Sequence, residues 1–546
     1  MIINYLILVL SCLAFLGYSI PIKKIILYSK NGYEYIHDYD IFFGIILVFI
    51  FAFIFNIFLP LIYFTEIFFL IGLILFIYYF NKITLSKDIL FFFIILFFIV
   101  FITYSTGTVY DTNLYHLQIL NWNSFYKLNF GLANLEIRFG TNSFWQLILS
   151  IFNNIKYNVQ YLFLFNCLPI SILINRFYFS KLNEIKLSSI YIFCCLNFIL
   201  LFSILHTNSN GLIINSLRSP EVDTVVMFFF IFSVYFFLKF FEDFKYCDYI
   251  YCFVFSFLAA ITKISHIGVL FLPILLFFFS KKKIDRVLLI SFIIFFLWCL
   301  KNFFLSGCWL FPVSFTCYPN LVWTSSTDEI ELYSKIVSSF PRAHAANHNF
   351  MDFDYTINSY AWLYPWLKSY FFATSFFIIF ILILLVSLAF IVFRYFQKDK
   401  NLDLNKIFFF LVIFYLFNFY IWFNAPELRF GYGIFISLSC LIFSYSFKEI
   451  INKFKLIRKF RFLPILFIFV LIFQNFNNIY LLKEVNQIKF NNSNIKFYKK
   501  INDINIYKSD GNHGFCNNFN KPCIIYPNDI GHTRYYGYNF FYRLKN

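Results

Sequence analysis

Long apolar runs alternate with short polar breaks along the chain. A helix needs roughly 20 apolar residues to cross the hydrocarbon of a bilayer. Runs of about that length recur near residues 1–20, 41–63, 65–81, 88–103, 157–175, 187–205, 222–240, 248–262, 264–280, 287–305, 369–394, 405–421, 430–446 and 462–478. The pattern predicts an all-α polytopic membrane protein with about 14 transmembrane helices, although the short pair around Lys263 also reads as one broken element. Residues 1–478 form the expected transmembrane domain. Residues 479–546 are polar, and the turn-rich stretch GNHGFCNNFNKPC suggests a small soluble C-terminal lobe, stapled by a disulfide.

The polar breaks differ in charge, and that orients the chain. Lys281, Lys282, Lys283 and Arg286, then Arg394, Lys398, Lys400 and Lys406, then Lys448, Lys453, Lys455, Arg458, Lys459 and Arg461 make three strongly basic loops. Such loops stay on the cytoplasmic side. Alternation then places 104–156, 206–221, 306–368, 422–429 and the tail outside, as expected for a multi-pass membrane protein. Met1 to Ile20 lacks a basic leading segment and a small-residue cleavage site, so it reads as a retained helix rather than a signal peptide.

Composition narrows the class. The hydrophobic share is 61%, far above that of a soluble domain. Phe contributes 89 residues while Gly contributes 16; together with abundant Ile, Asn, Lys and Tyr this points to an AT-rich genome, so aromatic counts carry no functional weight. The net charge of +17 sits mostly in short loops, which is a topology signal and not a nucleic-acid face. Of twelve Cys, eight fall in or beside apolar segments. Cys308, Cys317, Cys516 and Cys523 lie in polar segments, either as disulfides with three possible connectivities or as free thiols.

Against this background the stretch Tyr104–Trp145 stands out, because it gathers Asp111, His116, Glu136 and Arg138 beside the membrane. Ionisable groups there are costly and mark a functional site by default. Leu114, Leu117, Leu120 and Phe125 recur at helical spacing, predicting a helix on the membrane surface with its apolar face down. Asp111 at its start is either a catalytic carboxylate, a helix cap, or both. His116 is a candidate substrate contact. Arg138 offers a planar fork suited to phosphate, or pairs internally with Glu136 or Asp111.

Further candidates lie in the other expected outer loops. Arg218, Glu221 and Asp223 follow one another in SLRSPEVD, either as a helix start with Ser219 as cap or as the rest of a polar site with Asp111. Lys301 ends a span, to snorkel or to bind phosphate. Arg342 and His344 in RAHAANHNFMDFD are phosphate or sugar contacts; His344 and His348 have zinc spacing, but no HExxH motif or clear third ligand accompanies them. Glu427 and Arg429 in APELRFG either pair or serve the site. Asp111, Glu221 and Asp223 supply oxygen ligands for a possible Mg or Mn ion if they converge. Nucleotide-binding and nucleophile-elbow motifs are absent from the sequence.

With these residues in place the chain resembles the GT-C superfamily of integral-membrane glycosyltransferases, over about residues 88–445. The resemblance rests on Asp111, Tyr115, His116, Trp122, Gly131 to Leu135 and Arg138 to Gly140, then on SPEVD, KNFFLSGCWLFP and APELRFG in that order. Glu221 stands where Asp is more usual. It implies a GT-C-like bundle with amphipathic helices in its outer loops. It also implies a polyprenyl-phosphate-linked sugar donor, a glycan, lipid or protein acceptor, and Asp111 as catalytic base. Two other classes remain open: a transporter or flippase of lipid-linked sugars, with Lys263 as its intramembrane charge, and an outer-face polysaccharide polymerase or ligase.

Overall fold

The computed structural model describes residues 1–27, 35–80, 84–85, 87–104, 111–153, 164–179, 186–205, 216–279, 285–372, 374–396, 404–485, 495–501, 504–509, 522–524, 530–535 and 538–543. The described residues are helical almost throughout, with a parallel pair of two-residue strands, β1 (Tyr35–Ile36) and β2 (Thr84–Leu85), and small sheets at the C-terminus. Within the described residues the expected apolar runs fall on helices; of the run 157–175, residues 157–163 lie outside the described residues. Among the described residues, seven helices are long and apolar enough to cross a membrane: Ile2–Ile26, Asp38–Phe58, Leu61–Phe80, Leu187–Leu205, Asp223–Asp243, Arg286–Ser306 and Leu428–Lys453. Shorter apolar helices, including Asp88–Tyr104 and Tyr246–Thr262, accompany them.

The helix Asp223–Asp243 is the axis of the bundle, with every residue from Asp223 to Leu238 buried. An all-round apolar sequence explains this, since it has no polar face to turn outward. The first three long helices pack through glycine. A Cβ on Gly44 would meet the Phe15 carbonyl at 1.8 Å, and one on Gly17 would meet the Gly72 carbonyl at 2.1 Å. Bare backbone is therefore required at both crossings, the usual route to close helix contact inside a membrane.

Two charge clusters mark opposite ends of that axial helix, whose 21 residues span about 30 Å. Near its C-terminal end, Lys23 pairs with Asp40 at 2.6 Å and Arg176 with Asp38 at 2.6 Å, while Arg176 also pairs with Asp88. Asn175 and Tyr251 donate to Asp38 and Asp40 at 2.7 and 2.5 Å. Tyr39, between the two acids, packs on Phe236 of the axial helix. Each buried acid there has a cation and a neutral donor, which is what keeps buried charge tolerable. The second cluster surrounds Asp223, at the other end.

The region from 306 to 368 carries a well-delimited helix, Thr327–Ala346. Ser326 caps it by accepting from the Glu329 amide, Asp328 and Glu329 occupy its positive first turn, and Asn347 ends it in the left-handed region. Cys308 and Cys317 form a disulfide. Cys523 is also disulfide-bonded, whereas Cys516 lies outside the described residues.

Among the described residues, five strands lie toward the C-terminus, where a soluble lobe was expected. Strands β3 (Ile495–Ile501) and β4 (Ile504–Ser509) pair antiparallel, β5 (Cys523–Ile524) adds parallel to β4, and β6 (Ile530–Tyr535) with β7 (Tyr538–Arg543) forms a hairpin. The lobe is not detached. Ile504, Ile506, Ile524 and Phe541 share one apolar cluster with Ile119, Trp122, Leu135, Phe139 and Leu305. The Asn134 amide donates to the Phe541 carbonyl at 3.0 Å, and Gln118 accepts from the Cys523 amide at 3.1 Å.

Candidate functional site

Four segments distant in sequence meet at the Asp223 end of the bundle. Asp111 precedes a π-helical turn, Thr112–His116, which runs into the helix Leu117–Phe125. A π turn often marks a functional position. The Asp111 side chain makes no capping bond to that helix, so the cap reading is not realised. Nor does the helix lie on a surface: Leu117 to Ser124 are all buried, because the segment is enclosed by the bundle and the C-terminal lobe.

The carboxylate of Asp111 turns instead to Arg429, which opens the helix Leu428–Lys453. Arg429 Nη2 lies 2.7 Å from Asp111 Oδ2, Nη1 lies 2.7 Å from Glu221 Oε1, and Nε lies 3.7 Å from Asp223 Oδ2. One planar guanidinium thus serves three acids, a geometry that lysine could not reproduce. Lys263, in the break between Tyr246–Thr262 and the following 3-10 turn, pairs with Asp223 and places its Nζ 3.2 Å from the centre of the Phe430 ring. Glu427 and Arg429 read from the sequence either as a pair or as serving the site; the ion pairs of Arg429 run to Asp111, Glu221 and Asp223.

The SPEVD segment is sewn in place by neutral side chains. Ser219 shares a 2.6 Å hydrogen bond with Thr112, and its carbonyl accepts from Asn166 at 2.5 Å; the Pro220 carbonyl accepts from Gln146 at 3.2 Å. Ser219 does not cap the axial helix, which begins at Asp223 with Val222 before it. Its hydroxyl accepts from the Glu221 amide at 3.1 Å, closing a local turn that aims Glu221 at Arg429.

Burial separates the three acids. Asp111 is 16% exposed, Glu221 4% and Asp223 5%. Burial pushes the Glu221 carboxyl well above the usual range; Arg429 opposes this, while Asp223 and the hydrogen bond between the two carboxyls reinforce it. Burial also takes His116 down to about 4, against the opposing pull of Asp111 and Asp223. The neutral imidazole accepts at Nδ1 from the Gln146 amide, 2.7 Å away.

A divalent metal does not suit this constellation. The guanidinium of Arg429 lies between Asp111, Glu221 and Asp223, where a metal would have to sit. Among the described residues no group of three or more His, Cys, Asp or Glu is placed to hold one.

The remaining candidates divide by location. Glu136 and Arg138 pair with each other at 2.7 Å, and the Arg138 guanidinium lies 5.1 Å from the centre of the Tyr115 ring, next to His116. Arg218 donates to the Tyr104 carbonyl at 3.3 Å. Arg342 stands apart from the cluster: it donates to the carbonyls of Thr356, Phe423 and Asn424 and packs on Trp362, clasping the 306–368 region to the turn before Arg429. His344 stacks on Phe340, whereas His348 lies beyond the helix end and bonds to Asp352 at 2.8 Å, so the two histidines do not share a face. Lys301 is buried and donates to Asn123 Oδ1 at 3.0 Å.

Two participants stood outside the candidate site residues: Lys263, named only as the intramembrane charge of a transporter, and Gln146. Lys263 looked like a lone charge between apolar runs, and its position at a helix break was the available signal. Gln146, in the apolar run after Trp145, had none.

Comparison with known proteins gives no match among curated proteins and none among solved structures. A family described as a domain of unknown function, DUF8201, matches residues 1–436. That span includes Asp111, Glu221, Asp223, Lys263 and Arg429 and stops before the C-terminal lobe. The chain therefore belongs to the DUF8201 family.

Proposed function

We propose that the protein is a glycosyltransferase of the GT-C type. In this reading about 14 transmembrane helices hold the site at the extracytoplasmic face of a bacterial inner membrane. A sugar passes from a polyprenyl-phosphate carrier to a glycan, lipid or protein acceptor. The observation that carries the reading is the convergence of Asp111, Glu221 and Asp223 on Arg429, with Asp111 the most exposed of the acids. A carboxylate that is both oriented and reachable suits a general base. Asp111 takes the proton of the acceptor hydroxyl as that oxygen attacks the anomeric carbon. The bond from that carbon to the phosphate oxygen breaks, and the phosphate leaves with its electron pair. Lys263, 22% exposed and with donors beyond its bond to Asp223, neutralises the leaving group.

The test is Asp111→Asn, purified in nanodiscs and supplied with labelled polyprenyl-phosphate sugar and membranes from a strain lacking the protein. Transfer falls by about 10²- to 10⁴-fold while the unfolding temperature stays near that of the parent. Undiminished transfer in the folded variant would sink the reading.

One observation favours the transporter alternative. The chain breaks at Lys263 between two apolar helices, with non-helical backbone at His266, and discontinuous helices beside ionisable groups are a feature of transporters. Movement of lipid-linked sugar across reconstituted vesicles without any glycosidic product would establish that reading instead.

A further inference from the structure

Beside the Arg429 cluster lies a small cavity that the proposed chemistry does not use. Its polar wall is Lys301, Asn123, Asn142, Ser143 and Gln146, and Trp122 stands on its apolar side. Gln146 is common to both sites, since its amide nitrogen also donates to His116 and to the Pro220 carbonyl. The cavity therefore adjoins the segments that carry Asp111 and Glu221.

Its polar groups are incompletely satisfied. Lys301 is 2% exposed and forms no ion pair among the described residues; of its three donors, one reaches Asn123. The indole nitrogen of Trp122, the hydroxyl of Ser143 and the side-chain oxygen of Asn142 are buried without a hydrogen-bond partner. A buried ammonium without a counter-charge is costly, and so is each unpaired polar atom. Several such atoms lining one cavity are what a site looks like before its ligand supplies the missing partners.

The chemistry of the lining narrows the ligand. One lysine balances one negative charge. About 10 Å³ of space admits one water-sized group, such as a single carboxylate oxygen. Asn142 offers an acceptor and Ser143 a hydroxyl, which suit neighbouring sugar hydroxyls better than a phosphoryl group. Trp122 supplies an indole edge with an N–H donor.

We propose that the Lys301 cavity receives the carboxylate of an acidic sugar, so that the substrate of the adjoining site carries a uronate-type group. This rests on the glycosyl-transfer reading only for the word substrate; the binding itself is measured without turnover.

The experiment is thermal unfolding of the full chain in nanodiscs, titrated with sodium glucuronate, glucose, sodium phosphate and sodium chloride at matched ionic strength. Glucuronate gives a saturable stabilisation in the parent that glucose, phosphate and chloride do not. Lys301→Met weakens the apparent glucuronate affinity by about 10- to 100-fold, the worth of a hydrogen bond to a charged group. Without ligand it unfolds at or above the parent temperature, because an unpaired ammonium has been replaced by an apolar chain of similar size. Trp122→Phe, which keeps an aromatic six-membered ring but removes the pyrrole part of the indole with its N–H, weakens glucuronate several-fold and reports on the cavity should Lys301→Met not fold. Asp111→Asn binds glucuronate like the parent, which separates failure of this site from failure of the catalytic reading. Equal shifts with glucose or phosphate, no saturable shift, or glucuronate binding unchanged in folded Lys301→Met or Trp122→Phe would each overturn the proposal.

Discussion

The guanidinium of Arg429 lies 2.7 Å from the carboxylate of Asp111 and equally close to that of Glu221. A single side chain at one helix start thereby fixes two acids supplied by other parts of the chain. Removing it leaves partly buried carboxylates facing one another. Arg429→Gln is expected to lower stability by about 3 kcal/mol, read by thermal unfolding in detergent, with Arg429→Lys intermediate. A glutamine variant as stable as the parent would mean that the cluster does not organise this end of the bundle.

The raised carboxyl of Glu221 makes stability fall as pH rises above the ordinary carboxyl range. A group whose folded pKa lies above its ordinary value, about 4.3 for Glu, contributes stability fully below that ordinary value. The contribution is lost as pH rises through the folded pKa. Burial is the main cause of the raised value here. Glu221→Gln mimics the protonated form, so the unfolding temperature of the variant declines less steeply as pH rises above about 4.3. Parallel pH curves for parent and variant would contradict this.

His116 acts in the opposite direction. Its folded value of about 4 lies below the ordinary one of about 6.5, so the unfolded chain takes up a proton first as pH falls. Stability is complete above about pH 6.5 and is lost progressively toward pH 4, by up to about 3 kcal/mol. His116→Gln removes this acid-side slope, which chemical unfolding at stepped pH detects as the difference between variant and parent. An unchanged acid-side slope would show that His116 is not the group responsible.

The C-terminal lobe depends on one glycine. Gly131 has φ +70, and a Cβ there would meet the Phe541 carbonyl at 2.3 Å and the Trp323 carbonyl at 2.8 Å. Gly131→Ala combines left-handed strain with a clash against β7, costing more than about 1 kcal/mol. Hydrogen exchange in the hairpin Ile530–Tyr535 and Tyr538–Arg543 should rise in the variant; equal protection would show that the lobe docks without this contact.

Much of the architecture was legible from local pattern. Apolar runs of span length became helices because backbone hydrogen bonds must be satisfied within such a segment wherever water is absent. The Glu136–Arg138 pair was also within reach, since two residues so close in sequence need no fold to bring them together. Less legible was the segment after Asp111. Its helical spacing of leucines implied one apolar face on a membrane surface, yet residues 117–124 are buried all round, because the C-terminal lobe covers what the sequence left open.

The sequence by itself determined the helices, their apolar character and the polar segments where chemistry gathers, because each depends on neighbours within a turn or a span. Which charges meet was decided by the tertiary structure alone. Arg429 passes over Glu427, two residues away, for Asp111 and Glu221; Lys263 finds Asp223; Arg342 turns to backbone carbonyls instead of the cluster. Ion pairing between helix ends follows from how the helices pack, and packing is a property of the whole bundle that no single stretch of sequence encodes.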